Sequence, residues 1–332
     1  MNWRVAVVLG APLLAGCLFA APHTKTPPTP GKNSGDAFVE LNGAWVRVRD
    51  TGGENAGASS RRPILLVHGY ASRLESWAAV QPRLAQQRRV VSFDQRGFGM
   101  SERTAGDYGP APHARDVIQL AEKLGLHKPL LVGHSYGGGV ILKAALEAPE
   151  LFSGLVLIDA FATEEQVPPS FQWARVPGLG EFLFATQFKE VVGEKYVLAF
   201  HDKQRFASAA SVDEFRSNML KPGAVYSALA VVRGMDYAPD QVRYRDIGLP
   251  SVIIWGEEDR VTPLDAGKQL AGLVDSARLE VLTACGHVPL WERPQAVVRI
   301  IEEHLADIEG PRKKRPRSNA TTSTPNAGVA TP

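Results

Sequence analysis

Pro129-Leu130-Leu131-Val132-Gly133-His134-Ser135-Tyr136-Gly137-Gly138-Gly139 is the stretch that decides the fold. A short apolar run with turn chemistry directly behind it reads as a buried strand that stops abruptly. Within the stop, Gly133-His134-Ser135-Tyr136-Gly137 satisfies G-x-S-x-G, a pattern that places serine on a sharp strand-to-helix turn. Such a turn holds the hydroxyl clear of the backbone in strained geometry, and small residues on either side let strand and helix approach closely. A glycine-rich loop with an incidental serine would have the same composition. The strand before the pentapeptide and the helix-compatible residues 140–147 after it favour the turn.

Upstream, residues 38–41 and 44–49 alternate in polarity around Asn42-Gly43, the strongest short hairpin signal. A polar, Gly-rich loop covers 51–62. From Pro63 onward the pattern changes to short, continuously apolar strands at 64–67, 90–93, 130–132, 155–158, 252–255 and 279–282. Between them lie helix-compatible segments at 75–86, 111–124, 138–147, 263–273 and 294–307. Strands buried on both faces with helices between them imply a mostly parallel sheet, right-handed crossovers and helices on both faces. One crossover is far too long. About ninety residues separate Ile158 from Val252, against about two to six in an ordinary loop. Residues 162–246 therefore read as a helical cap inserted into a core of 37–161 and 247–309. Most of the cap's aromatic residues serve its own packing, and a minority are left to line a pocket.

The two ends differ from this body. Met1-Asn2-Trp3-Arg4 gives a short positive start, followed by an apolar run of about ten residues ending at Leu14. That is too short to span a membrane and suits an export signal. It ends in Leu14-Ala15-Gly16-Cys17, which resembles the lipobox of bacterial lipoproteins. The resemblance implies a signal at 1–16, lipidation of Cys17, and export to the cell envelope with a lipid anchor, the outer membrane being one destination. Two or more acyl chains suffice for stable anchoring in a bilayer. An ordinary secretory signal cut near Ala20-Ala21 is the alternative. Residues 17–36, with four prolines between Ala21 and Ser34, form a spacer. Residues 310–332 read as a disordered basic tail. Five of the chain's cations, Arg312, Lys313, Lys314, Arg315 and Arg317, fall there, so the rest of a chain of net charge +2 is slightly acidic. Nucleic acid is thereby a poor partner. The only other cysteine, Cys285, reads as a small buried apolar residue.

A serine hydroxyl is a weak nucleophile and needs a base, itself held by a third group. In folds with this turn the order is Ser, Asp or Glu, His, on loops after late strands. The chain supplies Gly256-Glu257-Glu258-Asp259-Arg260-Val261-Thr262-Pro263 after one such strand and Cys285-Gly286-His287-Val288 after the next. Together these segments resemble the α/β-hydrolase superfamily in its capped branch of esterases, lipases, prolyl iminopeptidases and carbon–carbon bond hydrolases. The resemblance spans residues 38–305, with the cap matched only by position and length. It implies Ser135 as nucleophile, Asp259 as the acid of a Gly-x-x-Asp-x-x-x-Pro loop, and His287 as the base. Asp159, after the strand at 155–158, is the competing acid. His68-Gly69-Tyr70 stands where the family builds half its oxyanion hole, which implies the backbone N–H groups of Tyr70 and Tyr136 as donors. Asp94-Gln95-Arg96-Gly97-Phe98-Gly99-Met100-Ser101 resembles a structural turn of the family, with Asp94 and Arg96 organising loops. His68 is expected to anchor the oxyanion loop, while His113, His134 and His304 carry no site pattern.

No metal constellation, phosphate loop or nicotinamide fingerprint is present, so no cofactor is expected. Within the superfamily, serine at position 135 argues against the epoxide hydrolase and haloalkane dehalogenase chemistries, which use aspartate there. Hydrolysis of a small ester-like substrate is the first expectation, carbon–carbon bond hydrolysis of a diketone-type substrate the second, and a cofactor-free haloperoxidase side activity the third. A receptor-like binding protein is the reading from a different class. Neither the substrate nor the oligomeric state is legible.

Overall fold

The computed structural model describes residues 35–52, 61–219 and 221–310. The signal, Cys17, nearly all of the spacer, part of the loop before Pro63 and the basic tail lie outside the described residues. Among the described residues no helix is long and apolar enough to cross a membrane.

Eight strands form one sheet: β1 Asp36–Leu41, β2 Ala44–Asp50, β3 Ile64–Val67, β4 Val90–Phe93, β5 Leu130–His134, β6 Gly154–Ile158, β7 Ser251–Gly256 and β8 Ala277–Leu282. Their order is β1-β2-β4-β3-β5-β6-β7-β8. The first two neighbouring pairs are antiparallel and every later pair is parallel. The hairpin closes through Asn42 and Gly43, both at positive φ (48° and 80°), as a tight primed turn demands. Alternate residues of the central strands feed two cores. Leu65, Val67 and Leu131 pack under helices Pro110–Lys123 and Tyr136–Glu147, while Ile64, Leu66 and Val132 meet Trp77, Leu84, Val297 and Ile301 on the other face.

Two sequence expectations are corrected. Residues 75–86 form a 3₁₀ turn, Leu74–Trp77, and a separate short helix, Gln81–Leu84. Pro82 has no N–H to bond backwards and sits in the first turn of the second piece. Strand β8 is only partly buried because it is the sheet edge: Arg278 and Glu280 alternate with Leu279 there, and Val281 is exposed. The region 162–246 is built from helices, including Leu179–Thr186, Phe188–Leu198, Ala209–Asn218 and Ala224–Gly234.

The sheet order reverses beside β3 and β5, where Val67 pairs with Gly133. Loops leaving the carboxyl ends of these two strands emerge side by side, the position at which open α/β sheets bind ligands. Ser135 follows β5 at φ 50° and ψ −123°, a strained conformation for a residue with a side chain. A Cβ on Gly133 would lie 2.4 Å from the Gly137 carbonyl oxygen, and one on Gly137 would lie 2.3 Å from that of Val67. Both clashes are with backbone, which cannot yield. Gly137→Ala is expected to lower stability by about 2 kcal/mol or more, read as the urea midpoint. A midpoint equal to that of the parent would contradict the close-approach account.

Candidate active site

The three residues proposed from sequence as nucleophile, base and acid meet at the carboxyl ends of β5, β8 and β7. Ser135 Oγ lies 3.0 Å from His287 Nε2, and His287 Nδ1 lies 2.7 Å from Asp259 Oδ2. Asp259 and His287 are buried, whereas Ser135 is partly exposed. Asp259 Oδ1 accepts the N–H groups of Val261 (2.7 Å) and Thr262 (2.9 Å), and Oδ2 accepts the Thr262 hydroxyl at 2.7 Å. Burial opposes a charge on Asp259, but His287 and the Thr262 donors outweigh it and hold the carboxyl below its ordinary range. With Nδ1–H donated to this carboxylate, Nε2 offers its lone pair to the serine hydroxyl.

Tyr136 is the first residue of its helix, where an N–H has no intrahelical acceptor. Gly69 lies so close that a Cβ there would stand 3.1 Å from Ser135 Cβ, which brings the turn leading into Tyr70 against the serine. His68 anchors this turn: its Nδ1 bonds its neighbour's Gly69 carbonyl at 2.8 Å, its Nε2 accepts the Gln95 N–H at 2.9 Å, and Gln95 Nε2 donates to the His68 carbonyl at 2.6 Å. Asp94 accepts the N–H groups of Leu74 and Met100 at 2.7 and 2.8 Å, which ties the turns after β3 and β4 together. Arg96 pairs with Asp116 at 3.3 Å. The Tyr70 ring packs edge-on to Phe98, Tyr136 and Phe188, and its hydroxyl donates to the Ala228 carbonyl in the cap at 3.0 Å.

Several supporting residues carry no sequence signal of their own. Glu258 accepts the N–H groups of Ala284 (3.2 Å) and Cys285 (2.8 Å), and Glu292 accepts that of Gly286 at 2.7 Å. His134 Nε2 bonds the His287 carbonyl at 2.7 Å. His113 Nδ1 bonds the Tyr136 hydroxyl at 2.8 Å and its Nε2 bonds the Arg96 carbonyl at 3.1 Å. Most of these contacts join segments well separated in sequence, so no spacing announces them. Cys285 is buried, as expected, and burial pushes its thiol well above the ordinary range. Asp159, Asp259 and His287 bring donor atoms within 4.8 Å of one another. His287 Nδ1 and both Asp259 oxygens are already engaged with hydrogen-bond partners, an arrangement that suits a hydrogen-bonded pair better than a metal's coordination sphere.

Residues 62–294 match the family model described as the alpha/beta hydrolase fold. An uncharacterized hydrolase of Bacillus subtilis, YugF, is 30% identical over 253 residues, covering 75% of this chain and 90% of its own. A 2-hydroxymuconate semialdehyde hydrolase of Pseudomonas putida is 29% identical over 263 residues, covering 74% and 88%. The solved structure of a thermophilic esterase from Thermogutta terrifontis superposes with a TM-score of 0.68 at 24% identity, covering 83% of this chain and 99% of its own. The chain is thus an enzyme of the serine-hydrolase type. It belongs to the alpha/beta hydrolase fold family.

Burial leaves three histidines neutral: it pushes His113 and His134 down to about 3, helped by Arg96 and His287 respectively, and His304 to about 4, helped by Arg278. Unfolded histidine takes up its proton near 6.5, so between that pH and about 3 the unfolded chain binds more protons and stability falls as the pH drops. The urea midpoint at about pH 4.5 is expected below that at about pH 7, with a smaller difference in His113→Asn. An unchanged difference in the variant would show that His113 carries no such linkage.

Proposed function

We propose that the protein is a cofactor-independent serine hydrolase of an ester or similar small carbonyl substrate, working through an acyl-enzyme. The observation that carries this reading is the continuous chain Ser135 Oγ, His287 Nε2 and Nδ1, Asp259 Oδ2, with contacts of 3.0 and 2.7 Å. His287 takes the hydroxyl proton as Ser135 Oγ attacks the carbonyl carbon. The Tyr70 and Tyr136 amides receive the oxyanion. Collapse of the tetrahedral species expels the leaving group, which takes the proton from His287. Water, deprotonated by His287, then attacks the acyl carbon and restores the serine. Asp259 orients the imidazole and stabilises its charged form. Fixed oxyanion donors are each worth on the order of 10²–10³ in rate.

A panel of p-nitrophenyl esters tests the reading. Ser135→Ala is expected to lose roughly 10⁴-fold or more in kcat, and Asp259→Asn about 10⁴-fold. A fluorophosphonate probe should label the parent and not Ser135→Ala. Ester turnover that survives Ser135→Ala would refute the nucleophile, and absence of labelling in the parent would favour a binding protein. The relative named for 2-hydroxymuconate semialdehyde supports carbon–carbon bond hydrolysis as the second reading, so a diketone-type substrate belongs in the same panel.

The proposal extends to location. Cys17 carries the lipid anchor and the enzyme works at the cell envelope. Cys17→Ser is expected to abolish acylation and leave the signal unprocessed. A variant that stays in the membrane fraction with unchanged processing would refute the anchor.

A further inference from the structure

One buried acid beside this constellation has no task in the mechanism above. Asp159 directly follows β6 at φ 42°, is fully buried, and is held against β7: its N–H donates to the Ile254 carbonyl at 2.9 Å and its Oδ1 accepts the Gly256 N–H at 2.8 Å. Among the described residues no N–H or hydroxyl reaches its Oδ2. That carboxyl instead faces Asp259, whose carboxylate oxygen lies within 4.8 Å. Two carboxylates sharing a buried site cannot both ionise. The donors decide which one carries the charge. Asp259 has the Val261 and Thr262 amides, the Thr262 hydroxyl and His287 Nδ1–H, whereas Asp159 has the Gly256 amide alone.

We propose that Asp159 is a positioning residue: a neutral carboxylic acid that donates its O–H to the Asp259 carboxylate and so fixes the acid that holds His287. This rests on the roles proposed above for Ser135, His287 and Asp259. The surroundings agree. Burial, then the charge of Asp259 and further that of Glu292, drive Asp159 well above the carboxylate range, and the neutral Cys285 thiol on the same side supplies no cation. An O–H on Asp159 Oδ2 would have the Asp259 carboxylate, within 4.8 Å, as its acceptor. Such a bond spreads the negative charge of Asp259, which limits how strongly it holds a proton on His287.

Asp159→Asn and Asp159→Ala test this against p-nitrophenyl ester hydrolysis over pH. An asparagine amide still donates toward Asp259 while its oxygen accepts the Gly256 N–H. Asp159→Asn is therefore expected to stay within about threefold of the parent in kcat, with the acid limb of kcat/KM unmoved. Asp159→Ala removes the donor: kcat should fall about tenfold with little change in KM, and the acid limb should move to higher pH. An acid limb in Asp159→Asn displaced to lower pH by about half a unit or more would show that position 159 carries a negative charge, and would overturn the proposal. Should the alanine variant not fold, the pH profile of Asp159→Asn is sufficient by itself to support or overturn the neutral acid. Failure of the underlying mechanism looks different. It would appear as activity surviving Ser135→Ala, or as loss in Asp159→Asn with activity retained in Asp259→Asn.

Discussion

The backbone contact between Gly133 and Gly137 is the constraint on which the rest of the structure depends. It lets β5 turn into its helix within a single residue, and that residue is Ser135. A non-glycine residue held at positive φ costs about 1–3 kcal/mol. The neighbouring strands offset that cost: the Ser135 N–H donates to the Ile158 carbonyl and its own carbonyl accepts the Phe161 N–H, both at 2.9 Å. The turn is thus clamped to β6 and to the last core residue before the cap, and the serine hydroxyl is delivered to His287 without freedom of its own.

Around that turn the molecule concentrates charge in one place and removes it from others. His113 and His134 are buried and neutral, and Asp94 is pushed upward by burial. Asp259 is furnished with enough donors to remain an anion under such burial. A well-held charge in a poorly polarisable surrounding acts on the adjacent imidazole far more strongly than it would in water. The neutral groups nearby keep that field from being cancelled.

Much of this arrangement is legible in the chain. Apolar runs of three or four residues, bounded by turns, place the parallel strands, and the residues directly behind them are the ones that meet. Resemblance of Gly256 to Pro263 to the family's Gly-x-x-Asp-x-x-x-Pro loop implies Asp259 rather than its neighbours Glu257 and Glu258, and Glu258 is found holding the backbone of the base loop instead. What escapes a reading of the sequence is set by neighbours in space. Strand β8 looks like its buried siblings until the sheet order makes it an edge. Residues 75–86 look continuously helical until Pro82 divides them. His113 and His134 look incidental because their partners, the Tyr136 hydroxyl and the carbonyl of His287, lie on other elements of the fold.

The cap meets the base loop along a seam of backbone bonds. The His287 N–H donates to the Ala199 carbonyl at 2.7 Å, Glu292 accepts the Asp202 N–H at 2.8 Å, and a Cβ on Gly286 would stand 2.4 Å from the Ala199 oxygen. The cap is therefore two things at once. The segment from Ala199 to Asp202 is part of the scaffold of the histidine, whereas the helices on either side of it are free of that duty. The side chains of those helices can change without loosening the base, provided the short stretch between them keeps its grip on it.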